Sequence, residues 1–218
     1  MLIEKIDIKK QKIYKVPHGS YGNYYGNLID KETARSEFDI DKHAVVFLFF
    51  GNIKGYKGLG NLLQAFERVY SKNNKAVLIV AGNITDDDSR EMVSNYLAHP
   101  AIRFRLGFIE DSTVKYLFSA SDYAVLPFKK ILTSGSAVLS LTFSRPVIAP
   151  KDGILPEFIT KNLGFLFNSY HEMEDIMMNI ASGKQAITDD TDLLNFNGKY
   201  SWVNCVSDLR KIFTDQAV

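Results

Sequence analysis

The sequence predicts an α/β fold: a doubly wound, mainly parallel, Rossmann-like sheet of six strands with helices on both faces. Two observations predict it. Short apolar runs such as AVVFLFF, residues 44–50, are typical of strands that are buried on both faces. These runs alternate with segments whose apolar residues recur every three or four positions, as on one face of an amphipathic helix. Strands that alternate with helices build parallel sheets through right-handed crossovers.

The predicted elements follow one another closely along the chain. The strands are predicted at residues 44–50, 76–81, 101–108, 123–128, 146–150 and 164–167. Helices are predicted near residues 59–70, 86–97, 112–118, 137–143, 154–160 and 173–181, with a terminal helix from about residue 202. Residues 1–43 do not follow this alternation. We therefore expect residues 1–43 to be a leading segment and linker, and residues 44–218 to form the Rossmann-like domain.

Composition excludes several classes of protein. The net charge of +1 gives no overall basic footprint for nucleic acid. Cys205 is the only cysteine, which excludes a disulfide framework and favours a reducing compartment. The first sixteen residues lack the apolar core of a secretory signal, and the longest apolar run is too short to span a bilayer. We therefore expect a cytoplasmic location.

The first candidate site is the loop GNIKGYKGLG, residues 51–60, after the first predicted strand. Ligands of open parallel sheets bind beyond the carboxyl ends of the strands. Lys54 and Lys57 bring two cations to the start of the next helix, where free amides and the helix dipole favour an anion. Three glycines would allow close backbone approach: Gly51, Gly55 and Gly58. The loop suits a phosphate or diphosphate, and a solvated loop with incidental lysines is the alternative.

The second candidate site is the turn TSGS, residues 133–136, before a helix without charged residues. The amides of Gly135, Ser136 and Ala137 would lack partners within the helix and could face an anion. Hydroxyl groups of the turn, including that of Ser134, would add donors. The alternative is a helix cap in which the turn satisfies its own amides.

The third candidate site follows the third strand, where Gly107 and Phe108 could flank a planar base through backbone hydrogen bonds and stacking. Packing of Phe108 in the core is the alternative. The four histidines are scattered without the spacing of metal ligands. We therefore predict neither a metal site nor a cofactor.

Six motifs in collinear order, between residues 16 and 167, resemble those of one known family. They are VPHG, FLFFGNIKGYKGLGNLLQAF, VLIVAGN, IRFRLGFIEDSTVKYLFSASDYAVLPF, SGSAVLSLTFSRPVIAP and GILPEFI…LGFLF. The chain resembles the carboxyl-terminal domain of a family 4, group 1 retaining glycosyltransferase with the GT-B fold. The resemblance implies two Rossmann-like domains with the active site between them, of which this one binds the nucleotide-sugar donor. We expect a separate amino-terminal domain, and little or no activity without it.

The resemblance also implies roles for single residues. Lys57 occupies the position of a lysine that contacts the donor diphosphate, and Lys54 would substitute for an arginine whose usual place is taken by Asn52. Amides of the SGSA turn, residues 134–137, would bind the phosphates. The base would be held near Gly107 and Phe108.

One departure from the family pattern concerns two carboxylates. The common Glu-x7-Glu pair falls on Ile131 and Leu139 in this sequence. In the family the second glutamate accepts hydrogen bonds from ribose hydroxyls, and the first lies near the sugar. Glu157 in GILPEFI remains as a candidate beside the sugar, and no residue is identified as nucleophile or base.

The favoured function is transfer of a sugar, with retention, from a nucleotide-diphosphate-sugar to a carbohydrate or lipid-linked acceptor. Family members act in polysaccharide biosynthesis, which would bring the protein to the inner face of a membrane as a peripheral protein. The main alternative is a non-catalytic nucleotide-sugar-binding or scaffold domain that has lost the glutamate pair. A third alternative, a sugar epimerase of related fold, would need carboxylates that act as acid and base at strand ends, and only Glu110, Asp111 and Glu157 lie near such positions.

Overall fold

The computed structural model describes residues 16–22, 24–131 and 134–214, and this part of the chain contains one six-stranded sheet. Its order is β3-β2-β1-β4-β5-β6, and every neighbouring pair is parallel. The strands are β1 (Val45–Phe50), β2 (Ala76–Gly82), β3 (Ile102–Leu106), β4 (Tyr123–Val125), β5 (Val147–Pro150) and β6 (Gly164–Phe167). The predicted fold class is confirmed.

Helices connect the strands, and the described residues contain nine of them besides a 3-10 turn at Gly55–Lys57. They are α1 (Lys31–Ser36), α2 (Leu59–Lys72), α3 (Asp87–Ser94), α4 (Asp111–Ala120), α5 (Gly135–Thr142), α6 (Leu155–Phe158), α7 (Tyr170–Ala181), α8 (Thr191–Lys199) and α9 (Trp202–Thr214). All predicted helices are present with shifted ends. The short helices α1 and α8 were not predicted.

The core explains why the sheet is doubly wound. Strand β2 is buried along its whole length, so both of its faces are covered. Side chains of α2, α3 and α7 pack on one face of the sheet. The other face is covered by α1, α4 and α5 beside β1 and β2, and by α5, α6 and α8 beside β4 and β5. Continuous apolar strands are stable only between two such helical layers.

Strand β4 ends three residues before its predicted end. The amide of Leu126 still donates to the Ile148 carbonyl, at 2.8 Å. The next residue is Pro127, which has no amide hydrogen and so cannot continue the ladder. The chain leaves the sheet there and leads towards α5 at the carboxyl edge.

Helix α1 lies within the segment expected to be a linker, yet it packs against the sheet domain. Ala34, Phe38 and Ile40 are buried in the apolar cluster beneath α4. The division of the chain at residue 43 stays a prediction, which the stability of this packing can test.

Candidate functional site

The strand order reverses between β1 and β4, because β2 lies on one side of β1 and β4 on the other. At such a switch point the connections diverge and leave a crevice at the carboxyl ends of the strands. A cleft of about 350 Å³ opens here. It is lined by Tyr21, Tyr25, Phe50, Gly51, Asn52, Lys54, Tyr56, Lys57, Gly135, Ser136 and Leu139. The fold therefore brings the first two predicted loops to one site.

Another cleft, of about 400 Å³, lies between α2 and α3. Its lining includes Asp88, Glu91 and Met92 but no lysine or arginine among the described residues, and it lies away from the switch point. The cleft at the strand ends is the better candidate because cations, helix amides and strand termini converge there.

The loop after β1 is held in place by backbone contacts. The Ile53 amide donates to the Asn83 carbonyl at 2.8 Å, and the Lys129 amide donates to the Tyr56 carbonyl at 2.9 Å. Gly58 has a φ of +71°, and a Cβ there would lie 1.8 Å from the Pro127 carbonyl oxygen. The close approach at Gly58 is thus to the protein's own backbone, whereas Gly51 lies in the cleft lining.

Lys57 presents its ammonium group to this cleft in an unusual setting. Its Nζ lies 4.1 Å from the centroid of the Phe128 ring and 5.7 Å from that of Tyr56. Within residues 16–22, 24–131 and 134–214 no carboxylate forms an ion pair with it. Burial, and secondarily the charge of Lys54, lowers the pKa of Lys57. A half-buried cation whose partners among the described residues are aromatic rings is well suited to an anionic ligand.

Lys54 is more exposed, and its charge is shared with a nearby carboxylate. Hydrogen bonds from Ser89 are the main cause of the lowered pKa of Asp86, with a smaller contribution from Lys54. Asp86 caps α3 by accepting the Ser89 amide at 2.9 Å. Lys57 is therefore the more specific of the two predicted cations.

The turn before α5 satisfies part of its own hydrogen-bonding capacity. The Ser134 Oγ accepts the Ala137 amide at 3.0 Å, which is an ordinary N-cap. Gly135 and Ser136 line the cleft, and their amides have no acceptor among the described residues. Capping therefore occupies Ala137 and leaves two amides for a ligand. Thr133 lies outside the described residues.

The third predicted site lies at the same edge of the sheet but outside the cleft lining. Gly107 follows β3, with a φ of +106°, and its amide donates to the Gly82 carbonyl at 3.1 Å. Phe108 is 82% exposed, so the alternative of core packing is wrong. Its role in binding a base stays a prediction. Glu157, in the first turn of α6, is exposed and also lies outside the lining.

Three aromatic residues that line the cleft were not predicted from the sequence. Tyr21 and Tyr25 come from the segment before α1, and Phe50 is the last residue of β1. The only signal was the density of tyrosine and glycine in VPHGSYGNYYGN. Leu139 is 4% exposed and belongs to an apolar cluster with Phe143, so this position suits a hydrocarbon side chain.

The described residues contain no group of three or more histidine, cysteine or acidic side chains that could hold a metal ion. None of the helices described is both long and apolar enough to cross a membrane.

Fold and site together define a doubly wound α/β protein with a cationic crevice at its switch point. The chain belongs to the family described as glycosyl transferases group 1, whose family model matches residues 30–185, more than half of its length. Its fold is that of the carboxyl-terminal domain of GT-B enzymes in this family.

Individual relatives agree with this assignment. A GDP-mannose:glycolipid 4-beta-D-mannosyltransferase of Xanthomonas campestris is 29% identical over 134 residues, which are 61% of this chain and 35% of that protein. The carboxyl-terminal domain of a group 1 glycosyl transferase from Francisella tularensis matches with a TM-score of 0.68 and 20% identity, covering 84% of this chain and all of that domain.

A larger enzyme of the same fold is also similar. Sucrose-phosphate synthase from Thermosynechococcus elongatus matches with a TM-score of 0.74 and 17% identity, over 92% of this chain and 52% of that one. This chain therefore spans 35% of the Xanthomonas relative and 52% of the synthase.

Proposed function

We propose that this chain is the donor-binding half of a glycosyltransferase that moves a sugar from a nucleotide-diphosphate-sugar to an acceptor with retention. The observation that carries the proposal is that Lys57 lines the same cleft at the switch point as Gly135 and Ser136, the first two residues of α5. A diphosphate held there would meet both a cation and the N–H groups at the start of a helix.

Such an arrangement supplies the chemistry that sugar transfer needs. The bond from the sugar to the diphosphate breaks, and negative charge grows on the leaving phosphate oxygen. Fixed cations and amides stabilise that charge without having to reorganise during the reaction. In this proposal the protein groups serve the leaving diphosphate and no metal is needed.

The first test is binding of donors to the chain by isothermal titration calorimetry. Names of similar proteins suggest the panel: GDP-mannose appears for the Xanthomonas relative, and UDP with glucose for a structurally similar Anabaena protein. We expect one nucleoside diphosphate and its sugar conjugates to bind at a single site, without added metal ion. If no nucleotide or nucleotide sugar binds, the proposal is wrong.

The stereochemical course is a separate part of the proposal. The name of the Xanthomonas relative specifies a β-D-mannosyl linkage, so the product's configuration needs measurement rather than analogy. Transfer should be assayed in the complete protein, with its proposed amino-terminal domain and with carbohydrate or lipid-linked acceptors. Proton NMR of the product should show the anomeric configuration of the donor. An inverted product would contradict retention and leave donor binding intact.

A second candidate is a domain that binds nucleotide sugar without catalysis. The observation that favours it is a cleft lining in which the described residues include neither aspartate nor glutamate. This candidate predicts normal donor affinity but no acceptor-dependent release of nucleoside diphosphate by the complete protein. The proposed transferase predicts both.

A further inference from the structure

Two short loop segments contact each other beside the cleft. Residues 56–58 belong to the loop after β1, and residues 127–129 follow β4. At one end of the pair, the Lys129 amide donates to the Tyr56 carbonyl at 2.9 Å. Lys57, which lines the cleft, is therefore the middle residue of a segment that is anchored to a second loop.

The other contacts of the pair follow in order. The Lys57 Nζ lies 4.1 Å from the centroid of the Phe128 ring. Gly58 is so close to Pro127 that a Cβ on this glycine would lie 1.8 Å from the Pro127 carbonyl oxygen. Successive residues of one segment thus meet residues of the other in reverse order, so the two segments run antiparallel. The place of Lys57 depends on the place of residues 127–129.

A tyrosine from a third element holds one end of this pair. Tyr170 is the first residue of α7, and its hydroxyl donates to the Pro127 carbonyl at 3.2 Å. A Cβ on Gly58 would lie 3.3 Å from the same hydroxyl oxygen, which therefore lies where the two segments meet. The Tyr170 ring contacts the Phe167 ring of β6, with centroids 6.2 Å apart. This contact fixes the ring from which the hydroxyl projects.

The Pro127 carbonyl depends on this hydroxyl for a hydrogen bond. Pro127 is buried, and among the described residues the donor to its carbonyl is Tyr170. A buried carbonyl without a donor is unfavourable, so the chain would move until water or another donor reached it. Such a movement would shift the adjoining Phe128 ring, against which the Lys57 ammonium group lies.

We infer that Tyr170 is a positioning residue: through the Pro127 carbonyl, it holds the two antiparallel segments that place the Lys57 ammonium group for an anionic ligand. Tyr170 is not among the described residues that line the cleft, so it acts through these contacts and not by touching the ligand. The inference rests on the proposed function, in which Lys57 binds the diphosphate.

The test is Tyr170→Phe, which keeps the ring beside Phe167 and removes only the hydroxyl. Calorimetry measures binding of inorganic pyrophosphate and of the nucleoside diphosphate that binds best. We expect both affinities to fall about fivefold, the effect of one hydrogen bond between neutral groups. In a Lys57→Met background the same substitution should leave the remaining affinities unchanged, because the hydroxyl acts through Lys57.

A pH profile separates positioning from a general loss of stability. The groups that face the Lys57 ammonium are the rings of Tyr56 and Phe128, and the charge of Lys54 is nearby. Burial is the main cause of the lowered pKa of Lys57. When the pair loosens, the ammonium gains water and its pKa rises. The alkaline decline in pyrophosphate affinity should therefore begin at a higher pH in Tyr170→Phe than in the unaltered chain.

Tyr96→Phe is the matched control. The Tyr96 hydroxyl lies 3.5 Å from the Glu67 carboxylate and the residue lines the other cleft, so neither affinity nor the pH profile should change. Thermal unfolding checks that each variant is folded at the assay temperature. Unchanged affinity in Tyr170→Phe, an unmoved pH profile, or an equal loss in the Lys57→Met background would each overturn the inference. Failure of the unaltered chain to bind either ligand would overturn the proposed function itself.

Discussion

At the scale of single residues, Lys57 gives the most direct electrostatic prediction. Lys57→Met keeps an unbranched side chain near Phe128 but removes the positive charge that lies over this ring. We expect affinity for both nucleoside diphosphate and pyrophosphate to fall by about tenfold or more, since hydrogen bonds to charged groups contribute about 1.5–3 kcal/mol. Lys75→Met, at an exposed position beside the amino end of β2, is the control and should change neither affinity.

The lowered pKa of Lys57 adds a pH dependence to this prediction. Burial is the main cause, so the ammonium loses its charge at a lower pH than the ordinary value of 10.5. The charge is present below the lowered pKa and disappears as the pH rises through it. Diphosphate affinity should therefore decline on the alkaline side before an ordinary lysine would titrate. A pH profile that is the same in Lys57→Met would contradict this assignment.

The residues of the site show what local pattern could and could not predict. Lys57 and the SGS turn were found because a loop that follows a strand and precedes a helix has a known position and known free amides. Tyr21 and Tyr25 were missed because the place of their segment depends on contacts with α4 and α5 that span 90 and 121 positions of the chain. Such distant contacts leave no periodic signal in the sequence.

At the scale of elements, the strands and helices that were predicted have a strong local apolar pattern, whereas the two helices that were missed do not. Five of the six strands were predicted because each is a short apolar run, as expected for strands between two helical layers. The edge strand β3, IRFRL, was predicted although it alternates apolar and basic residues. Helix α8 was missed because it buries only Leu193 and Phe196 within a polar stretch. Helix α1 was missed because its six residues bury little more than Ala34 and Arg35, and an arginine in the core is not an apolar signal.

The junction between the β1 loop and α2 supplies a prediction at this scale. Gly58 has a positive φ and faces the Pro127 carbonyl oxygen too closely for any side chain. Gly58→Ala should lower the free energy of unfolding by about 3 kcal/mol, from backbone strain and the clash together. Urea unfolding followed by circular dichroism measures this loss.

Gly198→Ala is the matched control for that glycine. Gly198 lies within α8 with open space around its Cβ position, and its φ is not strained. Alanine favours a helix over glycine by about 0.5–1 kcal/mol, so this variant should be as stable as the original chain or slightly more so. Equal stability of the two variants would show that Gly58 is not constrained by its backbone.

At the scale of the whole molecule, charged residues at the two ends of the sheet differ in whether the protein itself supplies their partners. The carboxyl ends of the strands carry lysines that face an open cleft. At the amino ends, Arg35 is buried and satisfied by the protein itself. Its guanidinium donates to the Asp122 carboxylate at 2.8 Å and to the carbonyls of Ala120 and Lys42. The Val46 amide donates to the same carboxylate at 2.8 Å, which joins α1 to β1 and β4.

This network predicts that residues 30–43 unfold with the sheet and not as a separate linker. Arg35→Met leaves the Asp122 carboxylate without its buried partner, and we expect a loss of about 3 kcal/mol in the free energy of unfolding. Urea unfolding should remain a single transition that moves to lower urea concentration.

Lys42→Met is the control, because its ion pair with Glu32 is exposed on both sides and 3.9 Å long. That variant should change stability by less than about 1 kcal/mol. If Arg35→Met instead leaves the main transition in place and adds a separate early one, residues 30–43 behave as the linker that the sequence suggested, and the domain begins at β1.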